Sequence, residues 1–261
     1  MAEHNMIYQQ AVYYDIIFDR DVSREVKFLR DIFLQNVGRE PRSVLDIACG
    51  PGYHALEFAR QGIRGSGLDL RPEMIQFAQD KATAEGLSLE WITADMRTYQ
   101  LDEPVDLAIS MFDSADALLT NEDIITHFCC VANNLSSRGI YVLDYSHPCD
   151  ASITRYDRFI YEGQRDGVRV ELIWHPDQSF DLPRGLATST TEMRIHNADR
   201  EMISFIDQAQ ERLVTPQEVS LIATLSGVFG VVGWYGAFDL TQPLDMSPLS
   251  RRMIAVLQKL R

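Results

Sequence analysis

The feature that most constrains the fold is the segment 43–69, in which two short apolar runs each end in an aspartate. The first run ends around Asp46, and the turn after it contains Gly50 and Gly52; the second run ends at Asp69. Glycines at a strand-to-helix turn let the backbone approach a ligand closely, because no Cβ intervenes. An acid at the end of the second strand can accept hydrogen bonds from both hydroxyls of a ribose. The segment therefore predicts a nucleoside site.

The glycines alone do not identify the nucleoside. Gly50, Gly52 and Ala55 also fit the dinucleotide-binding fingerprint, with Asp69 at about the expected 20-residue distance. Asp46 favours a different ligand, because a carboxylate beside a pyrophosphate would repel it by roughly 1–4 kcal/mol. S-adenosylmethionine has no phosphate and carries a cationic sulfonium and an amino group. We therefore predict S-adenosylmethionine as the cofactor, with an NAD(P)-dependent oxidoreductase as the alternative.

The alternation of strand-like and helical segments predicts an α/β core. An amphipathic helical pattern over 19–36 comes first. The strand-like segments that follow are apolar almost throughout, and such strands belong to parallel sheets covered on both faces. They are 43–48, 64–69, 88–93, 105–111 and 139–145, with helical patterns at 53–61, 72–85 and 121–135 between them.

The pattern changes after residue 150. Residues 168–174 alternate strictly between apolar and polar, and 186–195 and 202–212 are further strand-like runs. Consecutive strands joined by short turns pair antiparallel. Thr215 and Pro216 then predict the start of a helix, before two final strands at 229–237 and 252–258.

Composition excludes several classes of partner. The 261 residues carry a formal net charge of −14, which opposes binding to DNA, RNA and anionic membranes. No uncharged apolar run is long enough to span a bilayer, and the N-terminus has no secretion-signal pattern. The four cysteines, at 49, 129, 130 and 149, fit neither a metal site nor a disulfide framework. We predict a cytoplasmic protein that binds neither nucleic acid nor membrane.

The chain resembles the class I S-adenosylmethionine-dependent methyltransferases, in the small-molecule branch that includes glycine and aminosugar N-methyltransferases. The matching segments follow one another along nearly the whole chain: 13–15, 45–56, 67–78, 94–97, 105–114, 139–148 and 234–239. The resemblance implies an α/β fold with a doubly wound, seven-stranded, mostly parallel sheet of the Rossmann-like type and an antiparallel β insertion after the fifth strand. It divides the chain into an N-terminal helical lid (1–40), an S-adenosylmethionine-binding core (41–150), the insertion (151–213) and the C-terminal part of the core sheet (214–261).

The resemblance also implies which residues bind the cofactor. They are Asp46, Ala48, Gly50 and Gly52 for the methionine part, Asp69 for the ribose, Leu70 and Met74 for the adenosine, Asp95 and Met96 for the adenine, and Phe112 and Tyr14 near the sulfonium. Met74 has the alternative of being a core residue, and Asp95 that of capping a helix or facing solvent. Relatives often have glycine at this position, and Ala48 is a similarly small residue.

For the acceptor the resemblance implies a second set of residues: Tyr13, Phe112, Asp113, Ser114, Ala117, His147, Trp174 and Tyr235. Relatives commonly carry tyrosine or histidine at the position of Ala117, so this chain has a roomier pocket there. His147 is the leading candidate for a catalytic base, because an imidazole can accept a proton near pH 7. Its alternative is to order the turn before Pro148. Tyr14 is the second catalytic candidate, and its alternative is to anchor the lid.

Methyl transfer from a sulfonium needs no metal, and correct positioning can supply roughly 7–11 kcal/mol of the acceleration. We predict an enzyme that methylates a nitrogen of a small-molecule acceptor. The insertion is predicted to cover the acceptor, to form the interface of a homodimer, or to do both. O-methylation of a natural product is the first alternative. An NAD(P)-dependent oxidoreductase and a non-catalytic S-adenosylmethionine-binding regulator are the others.

Overall fold

A computed structural model describes residues 6–148, 158–181, 183–197 and 202–260. The described residues form six α-helices: α1 (Ala11–Phe18), α2 (Ser23–Val37), α3 (Tyr53–Arg60), α4 (Pro72–Ala84), α5 (Asn121–Asn134) and α6 (Pro216–Ser226). They also form eleven strands: β1 (Ser43–Ile47), β2 (Arg64–Asp69), β3 (Glu90–Thr93), β4 (Val105–Ser110), β5 (Leu135–Ser146), β6 (Phe159–Arg165), β7 (Val168–Asp181), β8 (Leu186–Asn197), β9 (Ile203–Arg212), β10 (Phe229–Tyr235) and β11 (Arg252–Lys259).

The core is a seven-stranded sheet in the order β10-β11-β5-β4-β1-β2-β3. Strands β1 to β5 pair parallel, whereas β11 pairs antiparallel with both β5 and β10. This arrangement confirms the predicted fold class. The strand order reverses at β1, which lies between β2 and β4, and open α/β sheets bind ligands at the carboxyl ends of the strands beside such a reversal. The topology therefore places the candidate site after β1, β2 and β4.

Both faces of this sheet are covered, which is why β1 and β4 are apolar without alternation and buried at every position. On one face Leu45 and Leu143 pack with Phe128 of α5. On the other face Val44 packs with Leu29 of α2 and Phe58 of α3. The burial on two sides explains why the sequence pattern predicted these strands correctly.

The insertion forms a separate four-stranded antiparallel sheet in the order β6-β7-β8-β9. The three strands predicted from alternation are confirmed, and the structure adds β6, which pairs with β7. Helix α1 can lie close to β6 because residue 163 is a glycine. A Cβ on Gly163 would lie 2.1 Å from the carbonyl oxygen of Ile16 in α1. Strands β8 and β9 end within two residues of the predicted ends, whereas β7 continues to Asp181, seven residues beyond the predicted end at 174. Residues 149–157 and 198–201, and with the latter most of the predicted turn 197–200, lie outside the described residues.

The N-terminal segment packs mainly on the insertion. Ile7 and the α1 residues Tyr13, Tyr14 and Ile16 join the cluster formed by Val170 and Met193. The helix predicted over 19–36 begins only at Ser23, whose backbone N–H donates to Asp21, and α1 is a separate helix before it. None of the helices in the described ranges combines the length and the apolar character that crossing a bilayer requires. Cys149 lies outside the described residues.

Candidate active site

The turn after β1 is built from left-handed backbone conformations. Ala48, Gly50 and Gly52 have φ values of +55°, +52° and +80°. A Cβ on Gly50 would meet nothing within 4 Å, whereas one on Gly52 would lie 2.6 Å from the ring of Trp91. Gly50 therefore presents bare backbone to open space, and Gly52 is needed so that Trp91 can pack beneath the turn.

Two buried carboxylates flank this turn. Asp69, 9% exposed, accepts from the backbone N–H groups of Gly50 at 2.9 Å and Arg71 at 2.8 Å. Asp46, 2% exposed, accepts from the N–H of Ala55 at 3.4 Å. Burial raises the pKa of Asp46 to about 6, an effect that nearby His54 and the Ala55 N–H partly oppose. Burial also raises the pKa of Asp69, against the backbone N–H donors around it and the charge of Arg71.

These residues fit a nucleoside with a cationic end. A carboxylate offers about four acceptor positions, and within the described part of the chain the Asp69 side chain uses them only for backbone N–H groups. Asp69 can therefore accept from two ribose hydroxyls. Asp46 can take an amino group beside the open backbone of Gly50. A pyrophosphate in the same place would meet this buried acid, as the sequence predicted.

His54, the second residue of α3, supports the turn. Its Nε2 lies 2.6 Å from Oε2 of Glu25, a carboxylate that also pairs with Arg20. His54 and Glu25 are 6% and 9% exposed. The contact joins the glycine turn to α2.

Asp95 and Met96, which the sequence predicts to bind the adenine, lie shortly after the end of β3 at Thr93. Asp95 accepts from the backbone N–H of Arg97 at 2.8 Å and from its guanidinium at 2.6 Å, so Arg97 holds the pKa of this carboxyl below its ordinary value. The carbonyl of Met96 accepts from Nδ1 of His127 at 2.8 Å, and the hydroxyl of Tyr141 lies 2.7 Å from Nε2 of the same ring. Sequence reasoning missed His127, which is fully buried on α5 and whose pKa burial lowers to about 4.

Leu70 and Met74 differ sharply in exposure. Leu70 is 58% exposed after β2, where it can cover a bound nucleoside, and Met74 is 1% exposed within α4. The burial of Met74 agrees with the alternative of a core residue.

The loop after β4 holds the predicted acceptor residues Phe112, Asp113 and Ser114. Phe112 is 42% exposed, and its backbone N–H donates to Oδ2 of Asp144 at 2.9 Å. Asp113 accepts from the N–H of Ser146 and pairs with Arg252 at 3.1 Å. The hydroxyl of Ser114 donates to the carbonyl of Met111 at 2.7 Å. Asp113 and Ser114 therefore hold the loop in shape, and Phe112 is the member of this trio that is exposed.

The predicted aromatic residues lie in two different places. The ring of Tyr14 packs between Tyr8 at 5.8 Å and Phe18 at 4.5 Å, and Phe18 in turn lies 5.7 Å from Phe112. Helix α1 thus reaches the loop after β4, and the ring of Phe18 contacts those of both Tyr14 and Phe112. Tyr235 instead packs edge-on against Phe28 of α2 at 5.3 Å, which gives it a role in the core.

The structure also shows the burial or the hydrogen-bond partners of His147, Trp174 and Ala117. His147 is buried, and its Nε2 lies 2.9 Å from the carbonyl oxygen of Asp245, so this nitrogen carries the proton and donates it. That contact fixes the tautomer and orients the ring, which is compatible with both predicted roles. Trp174 donates from Nε1 to Glu211 at 3.2 Å. Ala117 is exposed at the end of a short 3-10 helix (Ser114–Ala117). No group of three or more His, Cys, Asp or Glu side chains in the described ranges could hold a metal ion.

Comparisons with known proteins agree with this geometry. Residues 44–139 match a family model described as a methyltransferase domain. The chain is 32% identical to a putative methyltransferase, YqeM, of Bacillus subtilis (strain 168) over 142 residues, which cover 53% of this chain and 55% of the relative. It is 27% identical to the dTDP-3-amino-3,4,6-trideoxy-alpha-D-glucopyranose N,N-dimethyltransferase of Streptomyces venezuelae over 134 residues, 50% of this chain and 54% of the relative. The chain thus spans about half the length of the curated relatives it matches.

Solved structures match over nearly the whole chain and show the same fold. An S-adenosylmethionine-dependent methyltransferase from Clostridium acetobutylicum ATCC 824 has a TM-score of 0.77 at 18% identity, covering 97% of this chain and 99% of that one. DesVI of Streptomyces venezuelae has a TM-score of 0.76 at 22% identity, covering 95% and 97%. Residues 44–139 therefore carry a methyltransferase domain, which agrees with the family resemblance and with the S-adenosylmethionine cofactor predicted from the sequence.

Proposed function

We propose that this protein transfers a methyl group from S-adenosylmethionine to a nitrogen of a small-molecule acceptor. The observation that carries the proposal is the pair of buried carboxylates, Asp46 and Asp69, on either side of a turn whose Gly50 backbone faces open space. When bound, the cofactor supplies an activated methyl group on a sulfonium. The chain's own residues then have to bind, orient and exclude water.

Each part of this task has candidate residues. Asp69 orients the ribose through its hydroxyls, and Asp46 holds the amino group of the methionine part. Tyr14 and Phe18 of α1 carry the lid toward Phe112, so that three aromatic rings line the approach to the reacting carbon and limit the entry of water. Holding the two reactants in the correct orientation supplies much of the acceleration of a transfer whose leaving group is already good.

Nitrogen is the favoured acceptor atom because a neutral amine attacks without prior loss of a proton, whereas a hydroxyl needs a base as the bond forms. Two relatives are named as N,N-dimethyltransferases of dTDP-linked amino sugars, and we extend this acceptor chemistry to the present chain. O-methylation is the second candidate, since another relative is named as a ubiquinone biosynthesis O-methyltransferase. A homodimer, a cytoplasmic location and the lack of nucleic-acid or membrane partners stay predictions.

Calorimetric titration with S-adenosylmethionine, S-adenosylhomocysteine and NADPH tests the cofactor. We expect micromolar binding of the first two and none of the third; binding of NADPH alone would instead support an oxidoreductase. Mass spectrometry of reactions with paired amine and hydroxyl acceptors tests the acceptor atom. A gain of one methyl mass on the amines supports N-methylation, and a gain confined to hydroxyl acceptors would overturn it.

A further inference from the structure

One face of α5 holds the backbone of the segment 95–101, which lies between β3 and β4. Four side chains at the spacing of a single helical face make the contacts: Asp123, His127, Cys130 and Asn134. Asp123 accepts from the guanidinium of Arg97 at 2.6 Å. At the other end of the segment, Asn134 accepts from the N–H of Leu101 at 2.7 Å and donates to the carbonyl of Tyr99 at 3.2 Å. Helix α5 therefore fixes this segment at several points along its length.

His127 fixes the orientation of one peptide group in this segment. Its Nδ1 lies 2.8 Å from the carbonyl oxygen of Met96. The N–H of Arg97 belongs to the same peptide group and donates to Oδ1 of Asp95 at 2.8 Å. A peptide group is planar, so holding both its oxygen and its hydrogen fixes its orientation. The contact from His127 therefore constrains how the carboxylate of Asp95 and the N–H of Met96 are arranged relative to each other.

The hydroxyl of Tyr141 selects the tautomer that this contact needs. A carbonyl oxygen only accepts, so Nδ1 of His127 carries the proton. Burial lowers the pKa of His127 to about 4, against the carbonyl of Met96 and the charge of Asp95, and the ring is therefore neutral near pH 7. In a neutral ring Nε2 is an acceptor, and the hydroxyl of Tyr141 donates to it at 2.7 Å. Both side chains are completely buried, so water does not compete for either nitrogen.

The two groups arranged by this peptide, on Asp95 and Met96, are complementary to adenine, the base that the sequence predicts them to bind. Adenine presents an amino group, which donates, beside a ring nitrogen, which accepts. The ionised carboxylate of Asp95 only accepts, and the N–H of Met96 only donates. Arg97 holds the pKa of Asp95 below its ordinary value, which keeps the carboxylate ionised. Hypoxanthine has a carbonyl in place of the amino group and an N–H in place of the ring nitrogen, so it is mismatched at both positions.

We propose that His127, with its tautomer set by Tyr141, is a positioning residue that makes the cofactor site specific for adenine. It acts through the peptide group between Met96 and Arg97. This inference rests on the proposed S-adenosylmethionine-dependent function and on the assignment of Asp95 and Met96 to the base, and it adds the residue that keeps their spacing. Without the donor at Nδ1 the peptide can turn, and a base with the opposite hydrogen-bonding pattern is rejected less strongly.

The test measures how strongly the protein prefers S-adenosylhomocysteine over S-inosylhomocysteine, which carries hypoxanthine in place of adenine. Calorimetric titration gives the two dissociation constants, and their ratio is the base preference. We expect a ratio of at least about a hundredfold for the wild type, because a site that hydrogen-bonds one pattern leaves its polar groups unpaired with the other. Equal affinities in the wild type would overturn the assignment of the base and this inference with it.

Two variants of His127 separate hydrogen bonding from packing. His127→Asn loses the ring but keeps an N–H near the position of Nδ1, whereas His127→Phe keeps an aromatic ring beside Phe128 and Tyr141 and loses the donor. We expect His127→Asn to retain the base preference within about threefold and His127→Phe to lower it by about tenfold, the value of one lost hydrogen bond. If His127 served packing alone, His127→Phe would keep the preference, and that result would overturn the inference.

Asn134→Leu is the matched control. Asn134 is a buried polar residue on the same face of α5, 2% exposed, but its hydrogen bonds reach Tyr99 and Leu101. We expect this variant to lower thermal stability and to leave the base preference unchanged. A loss of preference equal to that of His127→Phe would show that any damage to the segment 95–101 has the same effect, and the specific role of His127 would fail. Retained binding of S-adenosylhomocysteine shows that each variant is folded.

Nitrogen NMR of the histidine rings tests the tautomer without relying on affinity. The signal that disappears in His127→Asn belongs to His127, and we expect its ring to be protonated at Nδ1 in the wild type. Tyr141→Phe removes only the donor to Nε2, so it should shift the ring toward a mixture of tautomers and lower the base preference by about two- to fivefold. A wild-type ring protonated at Nε2 would contradict the inference whatever the variants show.

The outcomes separate this inference from the proposed function. If the protein shows the expected base preference but methylates only hydroxyl acceptors, the positioning role stands and transfer to nitrogen fails. If it methylates amines but His127→Phe keeps the full base preference, the proposed function stands and the positioning role fails. Binding of NADPH alone would remove both.

Discussion

The two halves of the carboxyl edge of the core sheet both hold buried or partly buried acids, but they stabilise them in different ways. After β1 and β2, Asp46 and Asp69 accept hydrogen bonds from backbone N–H groups only. After β4 and β5, Asp113 and Asp144 share one guanidinium: Nε of Arg252 lies 2.7 Å from Asp144, and its Nη1 lies 3.1 Å from Asp113.

The difference shows which acids are available to a ligand. A carboxylate bound by backbone N–H groups keeps most of its charge and several acceptor positions for hydroxyls or a cation. Acids that share a guanidinium have already found their counter-charge, and a ligand that displaced Arg252 would leave buried charge behind. We therefore propose that the first half of the edge binds the cofactor. In the second half the paired acids hold the loop that presents Phe112.

The largest effect should come from removing the shared cation. We expect Arg252→Met to lower the free energy of unfolding by about 3–5 kcal/mol, because it leaves Asp144, 4% exposed, without its counter-charge. Chemical denaturation at neutral pH measures this change. Arg251→Met is the matched control: Arg251 is the exposed neighbour, and its loss should stay within about 0.5 kcal/mol. Equal losses in the two variants would show that the guanidinium is not what stabilises these acids.

The second-largest effect concerns the half of the edge formed by β1 and β2, and it is a loss of cofactor affinity. Asp69→Ala removes the acceptor of two ribose hydroxyls, and two hydrogen bonds to a charged group make a loss of roughly a hundredfold in S-adenosylmethionine affinity the expected result. Calorimetric titration gives the dissociation constant. Asp80→Ala removes an exposed acid from α4 and should leave the affinity unchanged. An unaltered affinity in Asp69→Ala would defeat the assignment of this acid to the ribose.

The first half of the edge could be predicted from the sequence because its signals are local. Asp46, Gly50 and Asp69 lie within one strand-turn-helix-strand unit, and parallel pairing of β1 with β2 brings them together automatically. The predicted glycine turn and strand order follow from that unit and from the burial of β1 on both faces.

The second half could not be predicted in the same way. Arg252 is 139 positions from Asp113 and reaches it only because β11 pairs antiparallel with β5, opposite Ser146. In the sequence it stands out only as part of a basic pair with Arg251. A local pattern contains no information about such contacts.

The smallest effect concerns the charge of Asp46. Its pKa is raised to about 6, mainly by burial, so the carboxylate that receives the cofactor's amino group is lost as the pH falls below that value. We expect S-adenosylmethionine affinity to be constant above about pH 7 and to fall by up to about tenfold per pH unit below about pH 6. The stability of the free protein responds in the other direction. A raised pKa contributes stability that is fully present below the ordinary value of an aspartate and is lost as the pH rises through about 6.

Asp46→Asn separates this acid from every other group that titrates in the same range. The variant should bind S-adenosylmethionine more weakly at neutral pH, and its affinity should be nearly independent of pH between about 5 and 7, because the amide does not titrate. Its stability should likewise lose the component that declines toward neutral pH. Calorimetry and denaturation of both proteins across this range test the two halves of the argument together. If the wild type kept a constant affinity down to about pH 5, Asp46 would be ionised throughout, and backbone donors alone would suffice to hold a buried charge as firmly as Arg252 holds Asp144.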